Sequence, residues 1–173
     1  MRNLAHDMTP LPKSILSRKA REIYDEIFYE WGYNLYYVKP HFGVYNFKKE
    51  IDFFSMMRMN ESEYSFRAVT AFTLQNLRIT YHHDGVEHIE YENCVILSLG
   101  AMKLYSYHYH ERAMIVQSLA HELAHVRVHS DKFLNAISKS YNLDEHNRIF
   151  CEVYSDIVND YNLGYADSDY YLG

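Results

Sequence analysis

The residues of this chain best suited to chemistry are His121, Glu122 and His125, which form the pattern H-E-x-x-H. On a helix of about 3.6 residues per turn, side chains four positions apart lie on the same face. Two imidazoles placed in this way can hold one Zn²⁺, and the carboxylate next to the first of them can act on a water molecule beside the metal. The pattern therefore predicts a metal site with a general base, which is the chemistry of hydrolysis.

The segment around this pattern predicts a buried helix. Residues 113–129 read AMIVQSLAHELAHVRVH, without Gly or Pro. Apolar side chains lie on nearly every side of the motif, which is typical of a helix in the middle of a core. Buried imidazoles and carboxylates are costly unless they are paired or bound to a metal, so this burial favours a functional site. A structural pair of core histidines is the alternative, because the chain has 11 His and a match by chance is possible.

The third metal ligand is the open question, since a catalytic zinc site usually has three protein ligands. On a continuing helix, His129 lies about 6 Å beyond His125 along the axis and cannot share a metal with His121. The preferred ligand is Glu152, which lies with Asp156 one turn apart beside the apolar stripe of a later helix. Asp156 is then predicted to accept the ring N–H of a ligating histidine. Two surface carboxylates are the alternative for this pair, and His129 is the alternative ligand.

This set of residues resembles the gluzincin branch of the zinc metallopeptidases, to which thermolysin belongs. The similar segment covers residues 113–158, and the short chain is also similar to compact members such as the ImmA/IrrE-type peptidases. The resemblance implies a zincin-like fold in which an edge strand of a small sheet holds the substrate beside the active-site helix. Residues 94–100 (CVILSLG) are the candidate for that strand. The implied roles are zinc ligands His121, His125 and Glu152, general base Glu122 and ligand-supporting Asp156.

The resemblance implies hydrolysis of a peptide bond by a zinc-activated water, with Glu122 passing a proton to the leaving amine. A Tyr or His should also stabilise the oxyanion. Residues 129–133 (HSDKF) are similar to SprT/WLM-type proteases, whose third ligand is a His and which act at DNA. A zincin-like module that sequesters a protein partner without cutting it is a further alternative, which the intact Glu122 disfavours. The candidates for the oxyanion role are Tyr154, Tyr161, Tyr165, His108, His110 and His146.

The composition limits the class of protein. A chain of 173 residues is long enough for one domain with a real core, so we expect a single zincin-like domain over residues 1–173. The net charge is −6, and Lys and Arg are scattered, which disfavours nucleic acid as a partner. The two Cys fit a reducing compartment, and neither a signal peptide nor an apolar run of about 18 residues is present. We expect a cytoplasmic protein with a protein or peptide substrate; the oligomeric state stays open.

The remaining pattern predicts an α+β chain. Asp84-Gly85 is a strong hairpin signal, because both residues tolerate the positive φ of a tight turn. Five helices are predicted. The first three run from Ser14 or Ser17 to Gly32, over 61–76 and over 113–129. The fourth follows Ser130 as its N-cap, and the fifth covers 145–162 with Asp144 as its N-cap. The predicted strands are 33–38, 42–47, 77–83, 86–91 and 94–99, between an irregular lead-in (1–13) and an irregular tail (163–173).

Overall fold

The computed structural model describes residues 8–38, 71–99, 111–141 and 146–164. The chain divides into two compact units, one formed by Met1–Leu11 and Tyr33–Tyr109, the other by Pro12–Gly32 and His110–Gly173. The predicted α+β class is confirmed. The first unit contains the strands β1 (Thr9–Pro10), β2 (Asn34–Val38), β3 (Ala71–His83) and β4 (Val86–Ser98). The second contains a 3-10 turn (Lys13–Ile15) and the helices α1 (Arg18–Asp25, continued by a π-helical turn Glu26–Glu30), α2 (Glu111–Ser130), α3 (Lys132–Tyr141) and α4 (Arg148–Asp160).

The sheet of the first unit has the strand order β1-β2-β4-β3. Strand β4 is parallel to β2 and antiparallel to β3, and Cys94–Leu97 is paired with both neighbours. The four side chains of this stretch are fully buried. The strand predicted over 94–99 therefore lies inside the sheet at Cys94–Leu97. The expectation that residues 94–100 provide a substrate-binding edge strand is wrong, because Cys94–Leu97 has no free edge.

The hairpin predicted at Asp84-Gly85 is confirmed. Asp84 and Gly85 have φ of 52° and 76°, as a type I′ turn requires. Strand β3 begins at Ala71, so the helix predicted over 61–76 is wrong for residues 71–76, and residues 61–70 lie outside the described part of the chain, as does the strand predicted over 42–47. The strands predicted separately over 86–91 and 94–99 form one strand. The register of β3 against β4 shifts between Leu74 and Leu77, where Asn76 has φ 54°, as at a β-bulge.

The ends of helix α1 follow from local chemistry. Ser17 caps the helix by accepting a hydrogen bond from the backbone N–H of Ala20, and Gly32, with φ 74°, ends the helical segment. The helix predicted from Ser17 to Gly32 is thus confirmed. The predicted lead-in is ordered from Thr9, since Thr9 and Pro10 pair with β2.

Helix α2 is the centre of the second unit. It packs against α1, α3 and α4. Because apolar side chains surround it, the prediction of a buried helix is confirmed, and the helix extends from Glu111 to Ser130. None of the helices in the described part of the chain combines the length and apolar character needed to cross a membrane. The apolar side chains of α2 that are fully or almost fully buried are Met114, Leu119, Ala120, Leu123, Ala124 and Val126.

The caps of the last two helices differ from the predictions. Asp131, rather than Ser130, caps α3, because its Oδ1 accepts hydrogen bonds from the backbone N–H groups of Phe133 and Leu134. Helix α4 begins at Arg148 and is capped by Asn147, and the predicted cap Asp144 lies outside the described residues. His146 therefore precedes helix α4 instead of lying within it.

Candidate metal centre

Helix α2 places His121 and His125 side by side. They are four positions apart on an uninterrupted helix, and their ring centroids are 5.0 Å apart. His125 is buried and His121 is half-buried. This part of the site follows directly from the spacing of the motif.

A third imidazole comes from His146, in the segment before α4. Its Nε2 lies 3.0 Å from Nε2 of His121 and 3.2 Å from Nε2 of His125. The ring centroids of the three pairs are 4.9 to 5.0 Å apart. One ligand atom from each residue lies within 4.8 Å of the other two, and no other such group of three occurs in the described ranges. We call these three residues the histidine triad.

The geometry of the histidine triad fits a metal ion. In a tetrahedral zinc site, Zn–N distances of about 2.0–2.1 Å place the nitrogens about 3.3 Å from one another. The Nε2 separations of His146 from His121 and His125, 3.0 and 3.2 Å, are within a few tenths of an ångström of that value. Imidazole donors suit Zn²⁺, and also copper, iron and nickel. The three side chains could therefore hold a transition-metal ion, and the donor set alone does not distinguish zinc from the others.

The surroundings keep the imidazoles of His121 and His125 neutral. Burial, assisted by the nearby His146, lowers the pKa of His121 to about 3. Burial also lowers the pKa of His125 well below its ordinary value, and His121, His146 and His129 act in the same direction. A metal binds the lone pair of a neutral imidazole, so these two side chains are in the binding form at pH 7.

Helix α4 supplies an aromatic support for the histidine triad. The ring centroid of Phe150 lies 5.0 Å from that of His121, 4.5 Å from that of His125 and 4.9 Å from that of His146. Tyr154, one turn later, stacks on Phe150 and lies 6.2 Å from His121. Both aromatic side chains are buried. Packing of this kind limits the rotation of the three imidazoles and excludes water from the covered side.

Glu122, the general base that the motif predicts, is 4% exposed. At about 100° per residue, its position on α2 is about 100° from His121 and about 60° from His125. Around the circumference of α2, the motif thus brings the carboxylate next to the two histidines. The low exposure of Glu122 means that the carboxylate is kept away from bulk water.

The structure does not bring Glu152 to the histidines. Its side chain is 58% exposed, and its Oε1 accepts a hydrogen bond from Nε of Arg148 at 2.9 Å. The reason is angular: Glu152 is two positions from both Phe150 and Tyr154, so it lies about 200° around the helix from the face that meets the histidines. Asp156 is also exposed and is two positions from Tyr154. The histidine triad therefore contains His146 in the place that we predicted for Glu152.

The alternative ligand His129 also lies outside the histidine triad. Helix α2 continues to Ser130, so His129 is a full turn beyond His125, with ring centroids 6.2 Å apart. Burial lowers the pKa of His129, and the charge of Lys139 lowers it further. This is the arrangement expected for a continuous helix, in which the third histidine of the run cannot reach a metal shared by the first.

The candidates for the oxyanion role have different surroundings in the structure. Tyr161 donates its hydroxyl hydrogen to Oε1 of Glu26 at 2.7 Å, and His146 belongs to the histidine triad. Tyr154 is the candidate whose ring lies near His121. Tyr165, His108 and His110 lie outside the described residues.

The sequence pattern predicted His146 only as an oxyanion candidate and not as a candidate ligand, because the ligands were sought by helical spacing. His146 precedes α4, so no periodic pattern relates it to His121 and His125. The sequence did contain one signal: a metal-binding residue type, His, directly before Asn147, which can cap a helix. The cap was predicted at Asp144 instead.

Comparisons with known proteins find no protein-family model, no curated protein and no solved structure that matches this chain. The resemblance to gluzincins rests on the motif residues alone. The features that bear on function are therefore the histidine triad and the residues around it.

Proposed function

We propose that this protein is a zinc-dependent metallopeptidase of zincin-like type that hydrolyses peptide bonds. The observation that carries the proposal is the convergence of three imidazoles: Nε2 of His146 lies 3.0 Å from Nε2 of His121 and 3.2 Å from Nε2 of His125, on the buried helix that also carries Glu122. Catalytic zinc sites combine three protein ligands with an open position, and the histidine triad can supply the three ligands.

The roles in the reaction follow from the side chains. His121, His125 and His146 would hold the metal. Zn²⁺ bound there would supply Lewis-acid polarisation of the scissile carbonyl and a more acidic water. Glu122 would take the proton of the attacking water and donate it to the leaving amine. Glu122 is buried and follows the first histidine of the motif directly, so its carboxylate is shielded from bulk water beside the proposed metal ligands.

The ligand type bears on the family. A third histidine departs from the gluzincin pattern, in which that ligand is a Glu, and agrees in residue type with the SprT/WLM-type proteases. Those proteases act at DNA, whereas this chain has a net charge of −6 and no cluster of Lys and Arg in its sequence. A protein or peptide substrate therefore remains the preferred proposal.

The proposed compartment is the cytoplasm. Cys94 and Cys151 are both free thiols, and Cys94 is buried. Unpaired cysteines are typical of a reducing compartment. We therefore propose that the peptidase is cytoplasmic, as expected from the sequence.

The test of the proposal is the Glu122→Gln variant, because Gln keeps the size of the side chain and cannot take up a proton. Zinc-loaded wild type is expected to cleave members of a quenched-fluorescent peptide library, and Glu122→Gln is expected to keep its zinc and lose turnover. Equal cleavage by the variant would show that Glu122 is not the base. Zinc binding without cleavage of any peptide by wild type would favour the silent binding module.

A further inference from the structure

Asn147 lies between the third histidine and the helix that supports it. Its side chain is buried, and both ends of the amide are used. Nδ2 donates to Oγ of Ser138 at 2.7 Å and to the carbonyl oxygen of Ser138 at 3.2 Å. Oδ1 accepts from the backbone N–H of Phe150 at 3.2 Å. The residue after His146 is therefore bound at the same time to α3 and to the first turn of α4.

We infer that Asn147 is a positioning residue that holds His146 in place for the metal through its hydrogen bonds to Ser138. This inference rests on the proposed metal site. It assigns to α3 the task of setting the distance between the third histidine and the two histidines of α2.

Helix α3 directly follows the helix that carries His121 and His125, and it contacts Asn147 near its other end. Helix α2 carries His125 and ends at Ser130, and Asp131 starts α3 at once by capping its first turn. Ser138 lies near the end of α3 and receives Asn147. A metal site requires its ligands to be placed within about 0.5 Å, and buried hydrogen bonds between neighbouring residues supply that precision.

A helix cap alone does not account for the side chain. Capping needs only an acceptor for the N–H of Phe150, which Asp would also provide. The two bonds from Nδ2 to Ser138 exceed that requirement, and a carboxylate cannot donate to the carbonyl oxygen of Ser138. Asn147→Asp therefore separates the two roles: it keeps the acceptor for Phe150 and removes the donor to Ser138.

The experiment compares zinc affinity, measured by competition with a chromogenic chelator, in the full chain of wild type, Asn147→Asp, Ser138→Ala and the double variant. Loss of a residue that supports a metal ligand typically weakens binding by about 10- to 100-fold, and we expect a loss in this range for Asn147→Asp. Ser138→Ala removes the shorter of the two bonds and should give a smaller loss. The double variant should bind no more weakly than Asn147→Asp, because the two changes remove one interaction.

A matched control is Ser17→Ala, which removes the cap of α1. It is expected to lower the unfolding midpoint of the metal-free protein and to leave zinc affinity within about twofold of wild type. Wild-type affinity in both Asn147→Asp and Ser138→Ala would overturn the inference, as would an equal loss of affinity in Ser17→Ala. If Asn147→Asp does not fold, Ser138→Ala decides the matter alone. Absence of zinc binding in wild type would overturn the proposed function itself, and this inference with it.

Discussion

Arg127 donates two hydrogen bonds to the carboxylate of Glu26, from Nη2 to Oε1 at 2.6 Å and from Nε to Oε2 at 2.7 Å. Trp31 and Tyr161 donate to the same carboxylate, at 3.0 and 2.7 Å. Arg127 follows His125 by two positions on α2, Glu26 lies in the π-helical turn after α1, and Tyr161 directly follows α4. This partly buried cluster therefore ties three helices together, on a side of α2 about 200° around the axis from His125.

Removal of Arg127 is expected to destabilise the protein strongly. In Arg127→Met, the carboxylate of Glu26, which is 9% exposed, loses its only cationic partner in the described part of the chain. Breaking a buried ion pair in this way costs about 3–5 kcal/mol. The measurement is the free energy of unfolding by urea, with metal removed from both proteins.

The control for this prediction is Asp160→Ala. Asp160 accepts from Nη1 of the same Arg127 at 3.3 Å but is exposed to solvent. Exposed ion pairs contribute about 0–1 kcal/mol, so this variant should unfold close to wild type. Similar losses in the two variants would show that burial of the Glu26 pair has no special weight.

The same cluster predicts a dependence of stability on pH. Burial raises the pKa of Glu26, but the hydrogen bonds from Arg127, Trp31 and Tyr161 outweigh it, so the pKa lies below its ordinary value of 4.5. A carboxyl with a lowered pKa in the folded state contributes its full stability above the ordinary pKa, and this contribution is lost as the pH falls through the lowered pKa.

Glu26→Gln isolates this contribution. Wild type should be the more stable protein at pH 7, and the difference in unfolding free energy should shrink as the pH falls below about 4.5. Urea unfolding at pH 7, 5, 4 and 3 measures it. A difference that stays constant over this range would contradict the assignment of the lowered pKa to Glu26.

Phe150 is expected to support metal binding by packing against all three imidazoles, with centroid distances of 4.5 to 5.0 Å. Phe150→Leu keeps an apolar side chain but removes the flat ring that limits imidazole rotation. Zinc affinity should fall by about tenfold, the lower end of the effect of residues that orient ligands. Ile157→Ala, a fully buried change two turns further along α4, is the control for a general loss of packing. An equal loss of affinity in that control would remove the specific role of Phe150.

The features that could be predicted from the sequence are those that depend on residues close together in the chain. Helix α2, its two adjacent histidines and the turn at Asp84-Gly85 follow from spacing and from backbone preferences, which depend on neighbouring residues only. The bulge at Asn76 was missed, and residues 71–76 were assigned to a helix, because strand identity there comes from pairing with the distant β4.

The third ligand shows the limit most clearly. Glu152 has the residue type and the approximate distance in sequence that a ligand needs, but its direction depends on which face of α4 meets the histidines. Phe150 and Tyr154 lie on that face, so Glu152 is turned toward solvent and Arg148. His146, which precedes α4, is followed by Asn147, and Asn147 is held by Ser138 of another helix. Such a contact between helices has no signature in the local pattern.

The most direct test of the central claim is the zinc content of purified protein, measured by mass spectrometry of the metal in wild type, His146→Ala, Glu152→Ala and His129→Ala. The histidine triad predicts stoichiometric zinc in wild type, in Glu152→Ala and in His129→Ala, and loss of zinc in His146→Ala. Retention of zinc by His146→Ala together with its loss in Glu152→Ala, or a wild type without zinc, would contradict it.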